Sequence, residues 1–226
     1  MAHCARCGKY ACLEEEKKSI PRDCPMGEEP ALYDESLKEY KKPAIRKIAV
    51  TAALVEAEGY GLWTRLEEIM EFAGRANFRK LGLAYCAGLR REGRQVEKIL
   101  RDAGFAVESA TCKTGSRPKE TIGIRDDQKV RPGQFEPMCN PIVQAKLLNR
   151  AKTDFNILLG LCVGHDTLFF RYAKAPVTVL AVKDRVLAHN PLGVLNAEFY
   201  YRAKLERHKR PEVDAWPRSS PHSEHK

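Results

Sequence analysis

Apolar residues recur along this chain with more than one spacing, and the change in spacing divides it. Over DESLKEYKKPAIRKIAVTAALVEAEGYG and again over LWTRLEEIMEFAGRAN they return every three to four residues, the spacing of one helix face. Two amphipathic helices are predicted, with Arg65, Glu67, Glu68 and Arg75 mainly on polar faces. The Gly59–Tyr60–Gly61 break separates them; Asp34 is placed to cap the first, and Gly74 lies near the end of the second. From about Arg79, short apolar runs alternate with longer amphipathic ones. Strands are predicted over 79–86, 105–112, 155–162 and 177–182, and helices over 88–103, 140–151 and 165–174. Gly104 supplies a helix-to-strand turn. A further helix is expected within NPLGVLNAEFYYRAKLERH. This alternation predicts an α/β fold: a Rossmann-like parallel sheet with flanking helices and right-handed crossovers. The polar stretch from Lys113 to about Pro137 is long for a compact domain and marks either a functional lid or a partly disordered loop.

Four segments follow: a cysteine-rich head over 1–30, a helical segment over 31–78, the α/β domain over 79–200, and a basic tail over 201–226 expected to be disordered. With 226 residues, 43% of them hydrophobic, the chain suits one α/β domain plus a small module. No apolar run approaches the roughly 18 residues of a membrane span, and MAHCARCGKY lacks the apolar core of an export signal. No membrane association and a cytoplasmic setting are expected. There, eight cysteines serve metals or catalysis rather than disulfides. The net charge, 39 − 30 = +9, owes part of its excess to Arg202, Lys204, Arg207, Lys209 and Arg210. Such a run is usually a solvated helix end, with nucleic acid as the lesser alternative; no aromatic–basic interleaving of an RNA-binding strand is present.

The cysteines fall into two sets. Cys4, Cys7, Cys12 and Cys24 have the spacing C-x2-C-x4-C-x11-C, followed by Pro25. Four thiolates at such spacing suit zinc, or an iron–sulfur cluster, and staple a segment too small to form a core. In the second set Cys86, Cys112 and Cys162 each end a predicted strand, and Cys139 precedes the helix start NPIVQA. Ligands of open α/β sheets bind at the carboxyl ends of strands. Helix N-termini also stabilise thiolates. The spacings match no short zinc motif, which favours a site assembled by tertiary folding. CVGHD brings His165 and Asp166 to the same edge as ligand or proton-transfer candidates, and Lys183, Asp184 and Arg185 end the last strand close to His189. These cations offset a thiolate-rich centre, hold an anionic substrate, or form a structural salt bridge with Asp184. No phosphate-binding glycine loop or G-x-S-x-G elbow occurs, although GLCVG carries Cys162 in the serine position.

The head, LGLAYCAGLRREG, MCNPIVQAKLLN, TDFNILLGLCVGHDTLF and APVTVLAVKDRVLAHNP together resemble the domain-of-unknown-function 1847 family of predicted metal-binding proteins, from Cys4 to about Pro191. In that family a cysteine pair stands before the lysine, whereas Thr111-Cys112-Lys113 keeps only the second. The resemblance implies metal binding and no reaction. Two classes of function are expected. One is a redox or sulfur-transfer enzyme whose 4Fe–4S cluster is held by Cys86, Cys139 and Cys162, with Cys112 as fourth ligand or free thiol, serving a small-molecule or redox partner. The other is a non-catalytic zinc-stapled scaffold, metal carrier or redox sensor.

Overall fold

The computed structural model describes residues 3–14 and 20–206. They divide into two compact units, Met1–Arg79 and Lys80–Lys226.

In the first unit a short helix α1 (Pro25–Glu28) follows Cys24, then α2 (Pro30–Tyr40), α3 (Pro43–Gly59) and α4 (Arg65–Arg75). The single long helix predicted from Asp34 is therefore two. Pro43 disfavours helical backbone at the residue before it, and Lys42 is extended (φ −67°, ψ 127°) as the cap of α3. Asp34 lies inside α2, which starts at Pro30, and caps nothing. The turn between α3 and α4 is fixed by Trp63, whose ring lies so close to Gly59 that a Cβ there would meet it at 2.3 Å. Thr64 and Glu67 form a reciprocal capping box at the start of α4. Arg75 then donates to both oxygens of Glu58 at 2.7 and 2.8 Å, tying α4 back to α3.

The second unit alternates as predicted: β1 (Lys80–Tyr85), α5 (Arg90–Asp102), β2 (Ala106–Thr111), α6 (Pro141–Arg150), β3 (Phe155–Leu161), α7 (His165–Tyr172) and β4 (Val177–Val182). All pairings are parallel, in the order β2-β1-β3-β4. This is a four-stranded α/β sheet with flanking helices. The central β3 (FNILLGL) is buried along its whole length, as expected of a parallel strand covered on both faces. Edge strand β2 (AVESAT) alternates instead. Strand order reverses between β1 and β3: from β1 the chain steps outward to β2, then returns past β1 to β3. A sheet of this kind opens a crevice at that switch point, at the carboxyl ends of the strands. α8 (Gly193–Asn196) and α9 (Glu198–Glu206) follow.

The long polar stretch is an ordered loop. Its base zips through Lys119 N to Glu136 O (3.1 Å) and Met138 N to Arg117 O (2.7 Å). Within it, the Lys129 side chain is only 4% exposed. Its ammonium donates to Glu120 (2.8 Å) and the Gln134 carbonyl (2.7 Å) and pairs with Asp126 (2.6 Å). Three acceptors thus satisfy the three donors of a buried ammonium, which burial otherwise penalises heavily.

Candidate thiolate centre at the sheet edge

The parallel registers bring the second cysteine set together. Tyr85 is paired with Thr111, so Cys86 and Cys112 follow as lateral neighbours just beyond β1 and β2. Cys112 N donates to Tyr85 O and Cys86 N to Leu159 O, each at 3.0 Å, extending the ladder by one residue at that edge. Cys139 arrives from the ordered loop. The next residue, Asn140, donates its backbone N–H to Cys112 O (2.7 Å) and caps α6 by accepting from Val143 N (3.0 Å). Cys162 follows β3, and its carbonyl accepts from His165 N and Asp166 N at the start of α7.

Cys86, Cys112 and Cys139 form a row with Cys112 in the middle, hydrogen-bonded to both neighbours. Cys112 is almost fully buried and Cys139 packs against the same core. The row is electrostatically uneven. Cys86 is lowered to about 5, first by the hydrogen bond with Cys112, then by the Gly88 amide and Lys183, all against the cost of burial. Cys139 is also lowered to about 5, first by Cys112 and then, against burial, by Lys113 and His165. Cys112 is pushed upward by the same two neighbours and by burial, opposed by the Ala87 N–H, which donates to its sulfur at 3.3 Å. A thiol has one proton to share, so Cys112 serves one neighbour at a time. The direction is nonetheless clear: the outer thiols ionise before the central one.

Each outer sulfur also has a cation of its own. Lys183 faces Cys86, and Lys113 faces Cys139 while donating to the Pro137 carbonyl at 2.5 Å. Arg185 donates to Cys162 Sγ at 3.1 Å, and its guanidinium is held charged first by that sulfur and further by Cys86 and Cys139. Glycines keep room beside Lys183: a Cβ on Gly88 or Gly160 would lie 3.7 or 3.6 Å from its Nζ.

The predicted carboxylates also make local hydrogen bonds. Asp184 accepts from Val186 N (2.9 Å) and Leu187 N (2.8 Å), while its own amide donates to His189 Nδ1 (3.0 Å). It thus shapes a turn in which Ala188 and His189 take left-handed backbone (φ 50° and 66°), and that turn presents Lys183 and Arg185. Asp166 accepts from Thr167 N at 2.8 Å.

Two residues to which the sequence assigns no role matter here. One is Lys113. The other is Gln144, fully buried on α6, whose Nε2 donates to Ala110 O (2.7 Å) and Tyr85 O (3.2 Å), stitching together the strand ends that carry Cys112 and Cys86. Its signal in the sequence is position: with Pro141, Ala145 and Leu148 it occupies the buried stripe of α6. Replacing Gln144 with leucine removes both donated bonds but also an Oε1 that has no partner among the described residues. A net loss of about 1–2 kcal/mol in the urea unfolding free energy is expected.

In the head, Cys4, Cys7 and Cys24 line a cavity of about 480 Å³ with His3 and Asp23; Cys12 is not among its lining residues. Part of the segment joining Cys12 to Cys24, residues 15–19, lies outside the described residues. Among the described residues, no group of three or more His, Cys, Asp or Glu side chains is gathered closely enough to hold a metal ion. The sheet-edge thiols stand in a row rather than around a point. Of the basic tail, Arg202 pairs with Glu198 and Lys204 lies over the Tyr201 ring, while Arg207, Lys209 and Arg210 lie outside the described residues. Among the described residues, no helix is long and apolar enough to cross a membrane.

Comparison with known proteins identifies relatives of this chain. A family model described as a protein of unknown function (DUF1847) matches residues 24–180, a span that includes all four sheet-edge cysteines. An uncharacterized protein of Methanocaldococcus jannaschii is 40% identical over 203 residues, covering 90% of this chain and 98% of the relative. No solved structure matches.

Proposed function

This chain belongs to the DUF1847 family of proteins of unknown function, and we propose that its working part is a thiolate metal centre at the sheet switch point, with a second metal in the cysteine head. The observation that carries this reading is the matching of three sulfurs to three cations: Cys86 with Lys183, Cys139 with Lys113, Cys162 with Arg185. Soft thiolate donors suit zinc or an iron–sulfur cluster. Four thiolates around a dication leave an excess of negative charge, and the three cations are positioned to offset it. The four sulfurs are not gathered around one point in this structure, so ligation requires their side chains to turn toward one another. Cys86, Cys112, Cys139 and Cys162 are the ligands. Lys113, Lys183, Arg185 and His165 balance their charge, and Asp184 holds the turn that delivers two of those cations.

A cluster held by all four cysteines would supply electron transfer; with Cys112 as a free thiol instead, the iron left without a protein ligand would supply Lewis-acid chemistry. Around it, N–H donors and cations hold the sulfurs' charge and shift the centre's potential. His165 and Asp166 stand at the same edge as proton carriers for a bound substrate. In the head, Cys4, Cys7, Cys12 and Cys24 hold the second metal, which staples a segment in which Ala11 alone is buried among the described residues.

The test is metal and acid-labile sulfide content of protein purified without oxygen, for the native chain and for Cys162→Ala. Iron with sulfide, or zinc, in excess of the head's share is expected. The substitution is expected to lower metal per chain while the head keeps its own. Unchanged metal in the variant sinks the two-site reading. Zinc at about one per chain confines metal to the head and leaves the zinc-stapled scaffold as the function.

A further inference from the structure

We propose that Cys139 and Cys112 form a reversible disulfide by exchange with a low-molecular-weight disulfide, Cys139 attacking and Cys112 resolving. The proposal rests on the reading of these thiols as the working centre, although the exchange itself requires no metal. It makes the centre a dithiol whose oxidation withdraws two of the four proposed ligands.

Accessibility assigns the attacking sulfur. Thiol–disulfide exchange needs a sulfur that a substrate can reach along the S–S axis. In the row, Cys86 is 9% exposed and Cys112 2%, whereas Cys139 is partly exposed at the end of its loop. The resolving sulfur must then be in reach. Cys139 packs against the core that buries Cys112, and the Asn140 N–H to Cys112 O bond (2.7 Å) holds the two backbones together.

Access argues against the alternative pair. Cys86 and Cys112 are both buried at the ends of hydrogen-bonded parallel strands, so a disulfide substrate reaches neither sulfur first. Cys139 is delivered by a loop and is partly exposed.

The step balances without a further reactant. The Cys139 thiolate attacks RS–SR, forming Cys139–S–SR as the S–S bond breaks and RS⁻ leaves. RS⁻ takes the Cys112 proton and departs as RSH. The Cys112 thiolate then attacks the Cys139 sulfur, forming the protein disulfide and releasing the second RS⁻. Two protein sulfurs are oxidised and the small disulfide is reduced to two thiols.

Oxidised glutathione, added to the reduced full chain after metal is removed with a chelator, tests this. Remaining thiols are blocked with N-ethylmaleimide, and a tryptic digest is mapped by mass spectrometry. The digest separates the sulfurs, because Cys86, Cys112, Cys139 and Cys162 fall in peptides 81–90, 102–113, 130–146 and 153–171. The 102–113 peptide linked to 130–146 is expected to predominate. In Cys112→Ser, Cys139 is expected to stop as its glutathione adduct. A lasting adduct on Cys139 in the native chain overturns the proposal, as does a predominant link to Cys86 or Cys162. The native-chain map decides even if the variant fails to fold. Metal analysis of the reduced protein before chelation reports separately on the metal centre: its failure leaves a mapped disulfide standing, and a missing disulfide leaves a measured metal standing.

Discussion

Substituting valine for Gly160 is expected to cost about 3 kcal/mol or more of folding free energy and to disrupt the thiolate centre with it. Two independent effects combine. Gly160 has φ +66°, a left-handed conformation that a β-branched residue scarcely adopts. Its Cβ would also lie 2.2 Å from Leu89 Cδ1, and Leu89 is itself buried beneath the turn that follows Cys86. Relief therefore requires moving either Leu89 or the irregular stretch of β3, where the register with β4 shifts on both sides of Leu159. Each route displaces a cysteine: Cys86 through the Ala87–Leu89 turn, Cys162 through the end of β3. A lower urea midpoint and loss of sheet-edge metal should appear together. A normal midpoint would show that Leu89 yields freely and that the close approach carries no energy.

Removing the central thiol is expected to change the acid–base behaviour of the row more than any other single substitution. Cys112 is the leading cause of the low values of both Cys86 and Cys139, which titrate at about 5 against an ordinary value of 9.0. In Cys112→Ala, the midpoint for site-resolved alkylation of either sulfur should move up toward the ordinary range. Once that midpoint stands well above pH 6, each further unit of rise lowers the thiolate fraction at pH 6 about tenfold. An unmoved midpoint would assign the effect to Lys183 and Lys113 instead. Stability follows by linkage. Between about 5 and 9 the unfolded chain carries a proton that the folded row, through Cys86 or Cys139, has released. Stability of the reduced, metal-free protein therefore rises with pH across that window and is lost as pH falls through 5. Above 9 the order inverts, because folded Cys112 keeps a proton that an unfolded thiol gives up. The urea midpoint should peak near pH 9.

The strands and crossover helices were legible because a parallel sheet writes itself as apolar runs with turns between them. FNILLGL is buried throughout and needs no partner strand to be recognised. Three of the four sheet-edge cysteines were legible for a related reason: a residue that ends a predicted strand sits at the working edge of whatever sheet forms. The break before Pro43 was readable from proline chemistry, yet the apolar spacing runs through it and masks it. Which sulfurs touch was not legible. That depends on register, and on a loop whose fold comes from Lys129 finding acceptors at Glu120, Asp126 and Gln134, a pairing with no periodic signal. Gln144 was hidden likewise, since a polar side chain on an apolar stripe declares its role only when the strand carbonyls are in view. Asp184 shows the reverse: its position between two cations suggests an ion pair, whereas its carboxylate is taken by its own turn.

The loop that carries Cys139 has a thermal consequence. Three of its larger apolar residues, Ile122, Val130 and Phe135, are 59, 81 and 65% exposed, while Ile124 and Met138 are half-buried, so opening the loop uncovers a limited apolar surface. Its opening therefore has a small heat-capacity change, and its stability curve is flatter than that of the sheet. The desolvation penalty on the Lys129 contacts also falls as temperature rises, while hydrophobic stabilisation levels off. Between cold and hot conditions, the reach of Cys139 into the row is the part of the centre that warming alters least.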